Sequence, residues 1–439
     1  IKSYSPFVSL LSETDNSRGE FYKIGLGLNV NKENKKLKIG FDNRIDNYKI
    51  DNNDLYETRD FVGYIQYNNR QRERVSQNIT YKKRIKSGKN TLSSQDYTLL
   101  DMDISKYSRT SPFKWAMKLR QEQTLVQNRT TVYDSVGFGL GEYRYDPIFN
   151  TYVLDPNGSF ISYSVLSGGR TPNTIFKGSQ DFAVDLDRLF TFSNMLIRFN
   201  AKQEFQGKEP RFDHLFDLEM NDNKVTKLQL FNRLEINYAD IRRLMVWLQN
   251  SKHYNGFDSR GNELQNKKET GIDINFPIND LISISSKGKI KSYLVESTVS
   301  DLRNRNSLGW WNDFRLQMRL NESVDFDLGL LLGAEQGVQK DTNFMANAVG
   351  LTFLGKILFK NVGRLQTGMN YVKVVEQQNM GYLPPETFEG YPIGVSFRTN
   401  SRFTYSINKT ISVVLSINTI DDERYENFIT FQGEVRAHF

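Results

Sequence analysis

Residues 313–334 read DFRLQMRLNESVDFDLGLLLGA, and their alternation decides the fold. In the first half Phe314, Leu316, Met318 and Leu320 alternate with Asp313, Arg315, Gln317 and Arg319. In the second half Val324, Phe326, Leu328, Leu330, Leu332 and Ala334 alternate with other positions that include Asp325 and Asp327, and Glu335 follows. A strand sends successive side chains to opposite faces, so a period of two gives one apolar and one polar face. Helical spacing of 3.6 is absent here. Asn321, Glu322 and Ser323 form a tight turn between the runs. The stretch therefore predicts an antiparallel hairpin with one greasy and one wet face.

The same pattern extends outward. In 393–408 Ile393, Val395, Phe397, Phe403, Tyr405 and Ile407 share one parity, and Arg398, Asn400, Arg402 and Asn408 the other. In 272–278 Ile272, Ile274, Phe276 and Ile278 alternate with Asp273 and Asn275. In 282–294 Lys287, Lys289 and Lys291 fall on one face. Soluble strands average about 5–6 residues, whereas a tilted membrane strand needs about 9–11. These runs reach the longer class, which favours a membrane barrel over a sandwich or propeller.

The connections support that reading. Backwards from the C-terminus, short turns at 408–410, 360–362, 321–323 and 278–280 alternate with longer polar stretches at 421–427, 375–392, 336–344, 296–310 and 250–269. Outer-membrane barrels alternate short periplasmic turns with longer external loops. The expectation is one domain over residues 1–439: an all-β, antiparallel, up-and-down transmembrane β-barrel of about 20 strands, within a range of roughly 16–22. An even count places both termini in the periplasm. Residues 59–86 fit one long strand or two. Residues 135–187 read as one long insert, external or folded into the lumen, with turn signals at Tyr145-Asp146-Pro147 and Asp155-Pro156-Asn157-Gly158.

Composition narrows the alternatives. The chain has 439 residues, no cysteine and a formal net charge of +7, with 38% hydrophobic and 13% aromatic residues. No run approaches the roughly 18–20 apolar residues of a spanning helix. The absence of cysteine excludes disulfides, thiol catalysis and cysteine-ligated metals. Charges of both signs are interleaved without a basic stripe, which argues against nucleic acid as a partner. The chain opens at Ile1 without a signal peptide, as expected of a mature protein or the C-terminal part of a longer one.

The last segment is the most specific local feature. Ile429, Phe431, Gly433, Val435, Ala437 and Phe439 share one parity, against Thr430, Gln432, Glu434, Arg436 and His438. It resembles the C-terminal strand of Gram-negative outer-membrane β-barrel proteins, which ends in an aromatic residue. That resemblance implies reading by the barrel-assembly machinery, with Phe431, Val435 and Phe439 as the signal, and outer-membrane lipid as the surroundings. The Lys-, Asn- and Tyr-rich composition resembles proteins of the Bacteroidota.

Candidate functional residues lie mainly on the wet face: Lys227, Arg233, Glu235, Lys287, Lys289, Lys291, Arg315, Arg319, Asp325, Asp327, Arg364, Arg398, Arg402 and Arg436. Lipid exposure of Arg or Lys at mid-membrane costs about 2–4 kcal/mol, so these side chains face a lumen or one another. A water-filled, net basic lumen would favour anionic solutes; charges paired across it would help to close it. Trp310, Trp311, Tyr371 and Tyr382 suit an interfacial aromatic girdle. Asp146, Asp155 and Asn157 are candidate calcium ligands by their hard oxygens, although no EF-hand spacing is present, and no other cofactor is expected. His214, His253 and His438 are widely separated, and neither His253 with nearby Asp258 and Ser259 nor His438 carries a catalytic pattern, so an enzyme is not expected. The leading function is an outer-membrane channel or transport barrel for solutes. The alternative is a non-transporting subunit or anchor of a larger outer-membrane complex for secretion, protein insertion or surface-lipoprotein handling, with external loops as docking surfaces.

Overall fold

The computed structural model describes residues 2–437 except 16–18, 51–53, 72–74, 89–96, 109, 191–193, 209–224, 240–242, 341, 360–361, 378–382 and 409. Among them the regular structure is strand, with a few short 3-10 turns. Among the described residues no helix is long and apolar enough to cross a membrane, which says nothing about crossing by strands. The fold is all-β, antiparallel and up-and-down. Twenty-two strands are present among the described residues. Two of them form a short hairpin and twenty carry the meander.

The chain divides into two compact units, with boundaries inside four strands. In the first unit β1 (Lys2–Asp15), β2 (Gly19–Lys32), β3 (Lys35–Ile50), β4 (Asp54–Asn69), β5 (Val75–Gly88), β6 (Tyr97–Lys106) and β7 (Phe113–Ser135) pair in sequence. Residues 59–86 are thus parts of two strands, β4 and β5. The hairpin β8 (Gly141–Asp146) and β9 (Thr151–Gly158) follows, and β10 (Phe160–Asp185) then returns along β7. The 135–187 insert is therefore smaller than its sequence suggested. Residues 160–185 are one strand, in register with β7 down to Val184↔Phe113. Its alternation is broken by the irregularity between Leu166 and Arg170, where Gly168 and Gly169 sit, and this mimics a loop.

β11 (Met195–Gly207), β12 (Val225–Ala239) and β13 (Arg243–Asn255) come next, each divided between the two units in sequence. The second unit continues with β14 (Glu263–Pro277), β15 (Ile282–Ser297), β16 (Arg305–Asn321), β17 (Val324–Gln339), β18 (Thr342–Phe359), β19 (Gly363–Glu376), β20 (Gly394–Ser406), β21 (Ile411–Asp422) and β22 (Tyr425–Ala437). From β15 to β22 every consecutive pair is hydrogen-bonded antiparallel.

The hairpin at 313–334 forms in the expected register, with Leu316 opposite Leu328 and Arg319 opposite Asp325. Several expected long loops are shorter. The β16–β17 ladder runs on to Arg305↔Gln339, and Gln339 pairs with Thr342 beside Lys340 at φ 51. Asp422 pairs with Tyr425, leaving two residues between β21 and β22. Polar stretch 250–269 is largely β13 and β14, and 296–310 narrows to 298–304. The ladders continue past the apolar band, so polarity marked loops where the backbone is still paired. Of these expected loops, only the β19–β20 connection stays long.

Burial is inverted relative to a soluble sheet. Ile272, Ile274, Ile290, Leu308, Phe314, Leu328, Leu330, Leu332, Val349 and Leu351 are exposed. On the opposite face Glu269, Lys291 and Glu335 are buried. The first unit repeats this arrangement. Ile24, Leu26, Ile39, Phe41, Phe61 and Ile65 are exposed, while Asp60 is buried and paired with Arg84 and Lys23 pairs with Asp42 at 3.0 Å.

Candidate functional site

The polar face of the second unit organises around one carboxylate. Glu335 on β17 is 1% exposed. Its Oε1 accepts the Trp311 indole N–H at 2.9 Å, the Phe388 backbone N–H at 2.9 Å and an ion pair from Lys291 Nζ at 2.6 Å. Lys291 on β15 and Glu335 lie two strands apart, both opposite Gly309 of β16. A Cβ at Gly309 would fall 2.3 Å from Glu335 Cγ, so only glycine leaves room for this side chain to cross.

The β19–β20 connection folds onto this face. Lys291 Nζ donates to the Glu386 carbonyl at 2.9 Å, and Arg305 binds both Glu386 carboxylate oxygens at 2.6 and 3.2 Å. Phe388 is fully buried in a cluster with Trp311, Ala346, Ala348, Val372 and Val374. Phe388 and Glu389 hold left-handed backbone conformations at φ 49 and 53. Such conformations cost on the order of 1–3 kcal/mol each and persist only where the surroundings impose them. Here Phe388 burial and the Glu335 hydrogen bond do so. Glu389 pairs with Lys289 at 2.8 Å. Burial pushes the Glu389 carboxyl up, but the Lys289 hydrogen bond and the charges of Lys291, Lys289 and Lys267 outweigh it and hold it below the ordinary glutamate range.

Beside this latch lies a cavity of about 460 Å³. Its lining combines Arg233, Asp273, Lys287, Lys289, Asp313, Arg315 and Glu389 with Trp247, Trp311, Leu331 and Tyr391. Trp247 lies against Gly271, where a Cβ would come within 2.4 Å of the ring. Its indole N–H donates to Asp273 at 3.3 Å, and the Arg233 guanidinium stacks 4.7 Å from its ring centre. Arg233 also pairs with Glu235 at 2.7 Å, and Arg315 clamps Asp313. A second cavity of about 650 Å³, near the 278–281 turn, brings together Arg319, Asp325 and Asp327 with Arg243.

The wet-face candidates thus fall into groups. Arg233, Lys287, Lys289 and Arg315 line the smaller cavity, with Glu235 and Lys291 bonded to its surroundings. Arg398 stacks on Tyr391 at 4.2 Å and pairs with Asp422 at 3.2 Å. Lys227 pairs with Glu204 in the first unit. Arg364, Arg402 and Arg436 line neither cavity, and Arg436 pairs with Glu434 at 2.9 Å. Sequence reasoning missed Trp247, Glu335, Glu386, Glu389 and Tyr391 as site residues. It assigned Trp311 to a girdle, whereas Trp311 is buried on the polar face and its neighbour Trp310 is exposed on the other. Parity was the available signal, since Trp311 shares it with Asp313 and Arg315.

Other candidates stand apart. Asp146 caps the β8–β9 turn by accepting the Ile148 N–H, and Asp155 pairs with Arg144 at 3.1 Å while accepting the Asn157 N–H. These local bonds engage the carboxylates of Asp146 and Asp155, two of the three proposed calcium ligands. Among the described residues no group of three His, Cys, Asp or Glu side chains is placed to hold a metal. His253 lies in β13 rather than an outer loop, Asp258 is engaged by Arg260 at 2.6 Å, and Ser259 bonds Thr131. His214, Tyr382, His438 and Phe439 lie outside the described residues. Phe431 and Val435 of β22 are exposed.

No protein-family model and no curated protein matches the chain. Among solved structures it is similar to the siderophore receptor PirA from Pseudomonas aeruginosa, at 8% identity and a TM-score of 0.43, covering 99% of this chain and 72% of that one. It is also similar to the ferric-catecholate import receptor Fiu from Escherichia coli, at 8% identity and TM-score 0.40, covering 100% and 78%. A third is the outer-membrane transporter YddB from Escherichia coli, at 8% identity and TM-score 0.34, covering 95% and 74%. Superpositions this loose assign neither a family nor a ligand to the chain.

Proposed function

We propose that this chain is an outer-membrane β-barrel that passes solutes along a lumen of mixed charge. The observation that carries the reading is the inverted burial, in which most of the long strands expose large apolar side chains while Lys291, Glu335, Glu269 and Asp60 are buried. Water would penalise that outer face and lipid rewards it. Charged side chains gather on the opposite, polar face, where a hydrated passage would run. The closely bonded 383–393 segment supports a constricted rather than a wide path. Conductance in planar bilayers tests the reading: stable unitary steps are expected, and a silent, correctly inserted protein would contradict it.

A second reading, a docking subunit of a larger outer-membrane complex, is favoured by the β8–β9 hairpin. Phe138, Ile148 and Phe149 there are 85%, 84% and 74% exposed, and they follow no strand alternation. Retention of a membrane partner that is lost on replacing these three residues with serine would support it.

A further inference from the structure

We propose that the cavity beside the 383–393 latch binds a zwitterionic solute with an apolar body, an amino acid or short peptide, whose two charged ends meet Lys287 and Asp273. The inference rests on the chain being a solute-passing barrel and names what its cavity selects. Five of the seven charged side chains lining the cavity are already paired. Arg315 clamps Asp313, Arg233 holds Glu235, and Lys289 bridges Glu269 and Glu389. Two remain. Asp273 accepts only the Trp247 N–H at 3.3 Å, and Lys287 has no polar partner among the described residues. They are not paired with each other.

The cavity therefore offers one carboxylate and one ammonium, from β14 and β15. A purely anionic solute would satisfy Lys287 and face an uncompensated Asp273; a cationic one would do the reverse. Lys287 is exposed and Asp273 half-buried, so both are open to a ligand, and one carrying both signs meets both at once. The uncharged lining mixes Trp247, Trp311 and Leu331 with Thr352, Asn370 and Tyr391. Trp247 lies against Gly271, Trp311 packs against Gly333, and Leu331 also lines the cavity. An aliphatic or aromatic side chain has a surface there to cover. The volume falls within the roughly 300–1,000 Å³ of small-molecule sites.

The test is calorimetric titration of the purified, detergent-solubilised full chain with leucine, leucyl-leucine and N-acetyl-leucyl-leucine amide. Saturable binding is expected for an uncapped ligand, weakened about tenfold or more by capping both ends. Leucine and leucyl-leucine distinguish an amino-acid from a peptide site. Lys287→Gln is expected to weaken leucyl-leucine while leaving its C-terminal amide unaffected. Asp273→Asn is expected to do the same for the N-acetyl form. Equal binding of capped and uncapped peptides, or no saturable binding of either leucine or leucyl-leucine, overturns the inference. Conductance without peptide binding would overturn it and leave the transport reading intact. Peptide binding by a protein silent in bilayers would uphold the site and overturn transport.

Discussion

At the scale of single residues the molecule turns on Glu335. Three donors converge on one oxygen of a side chain 1% exposed, and the Lys291 charge opposite is equally enclosed. Removing one partner of such a pair strands the other, at a cost of about 3–5 kcal/mol, whereas replacing both with apolar residues is often neutral or stabilising. Glu335→Ala is therefore expected to lower unfolding stability in urea titration by about that amount, and Lys291→Met added to it to recover most of the loss. An additive double variant would contradict the pairing. The face of Glu335 was legible in the sequence from its parity with Gly333 and Ala334's neighbours on the hairpin, but its partners were not. They come from Lys291 two strands away and Phe388 in a loop, and no local pattern encodes contacts over that separation. Trp310 and Trp311 show the same limit. Adjacent tryptophans look alike in composition, and only strict alternation sends one outward and one inward.

At the scale of elements, a strand's two faces differ in what they tolerate. On β16, Phe314 is 45% exposed on the apolar face, whereas Gln317 bonds Ser283 on the polar one. Phe314→Arg is expected to cost about 2–4 kcal/mol in lipid, and Gln317→Arg, three residues away, little. Urea unfolding in liposomes measures both, and equal penalties would contradict the assignment of faces. The 383–393 latch has its own pH dependence. Glu389 is held below the ordinary glutamate range, so its pairing contributes fully above about pH 4.3, the unperturbed value, and is lost only as the pH falls through the lower folded value. Acrylamide quenching of tryptophan emission is expected to stay constant from neutral pH into mild acid, then rise as Trp311 is uncovered. Release near neutral pH would contradict the latch. The long strands and tight turns were legible from hydrophobic periodicity. The loops were not, because β13, β17 and β21 continue in polar sequence where backbone hydrogen bonds, rather than side-chain character, define the element. β10 was hidden by the Gly168-Gly169 irregularity within an otherwise regular ladder.

At the scale of the whole molecule, the claim is that the exposed apolar faces meet lipid. A chain with 38% hydrophobic residues places many of its large ones on the outside, which a non-aqueous surrounding makes favourable, and buries ion pairs on the opposite face. The chain has no cysteine, so single cysteines can be introduced and labelled without background. The most direct measurement places one fluorescent label at each position from 326 to 334 in turn, in protein reconstituted into vesicles, and records quenching by brominated lipid acyl chains. Quenching is predicted to alternate, strong at 328, 330 and 332 and weak at 327, 329, 331 and 333. Uniform quenching along the strand, or none because the protein stays out of the bilayer, would contradict the account.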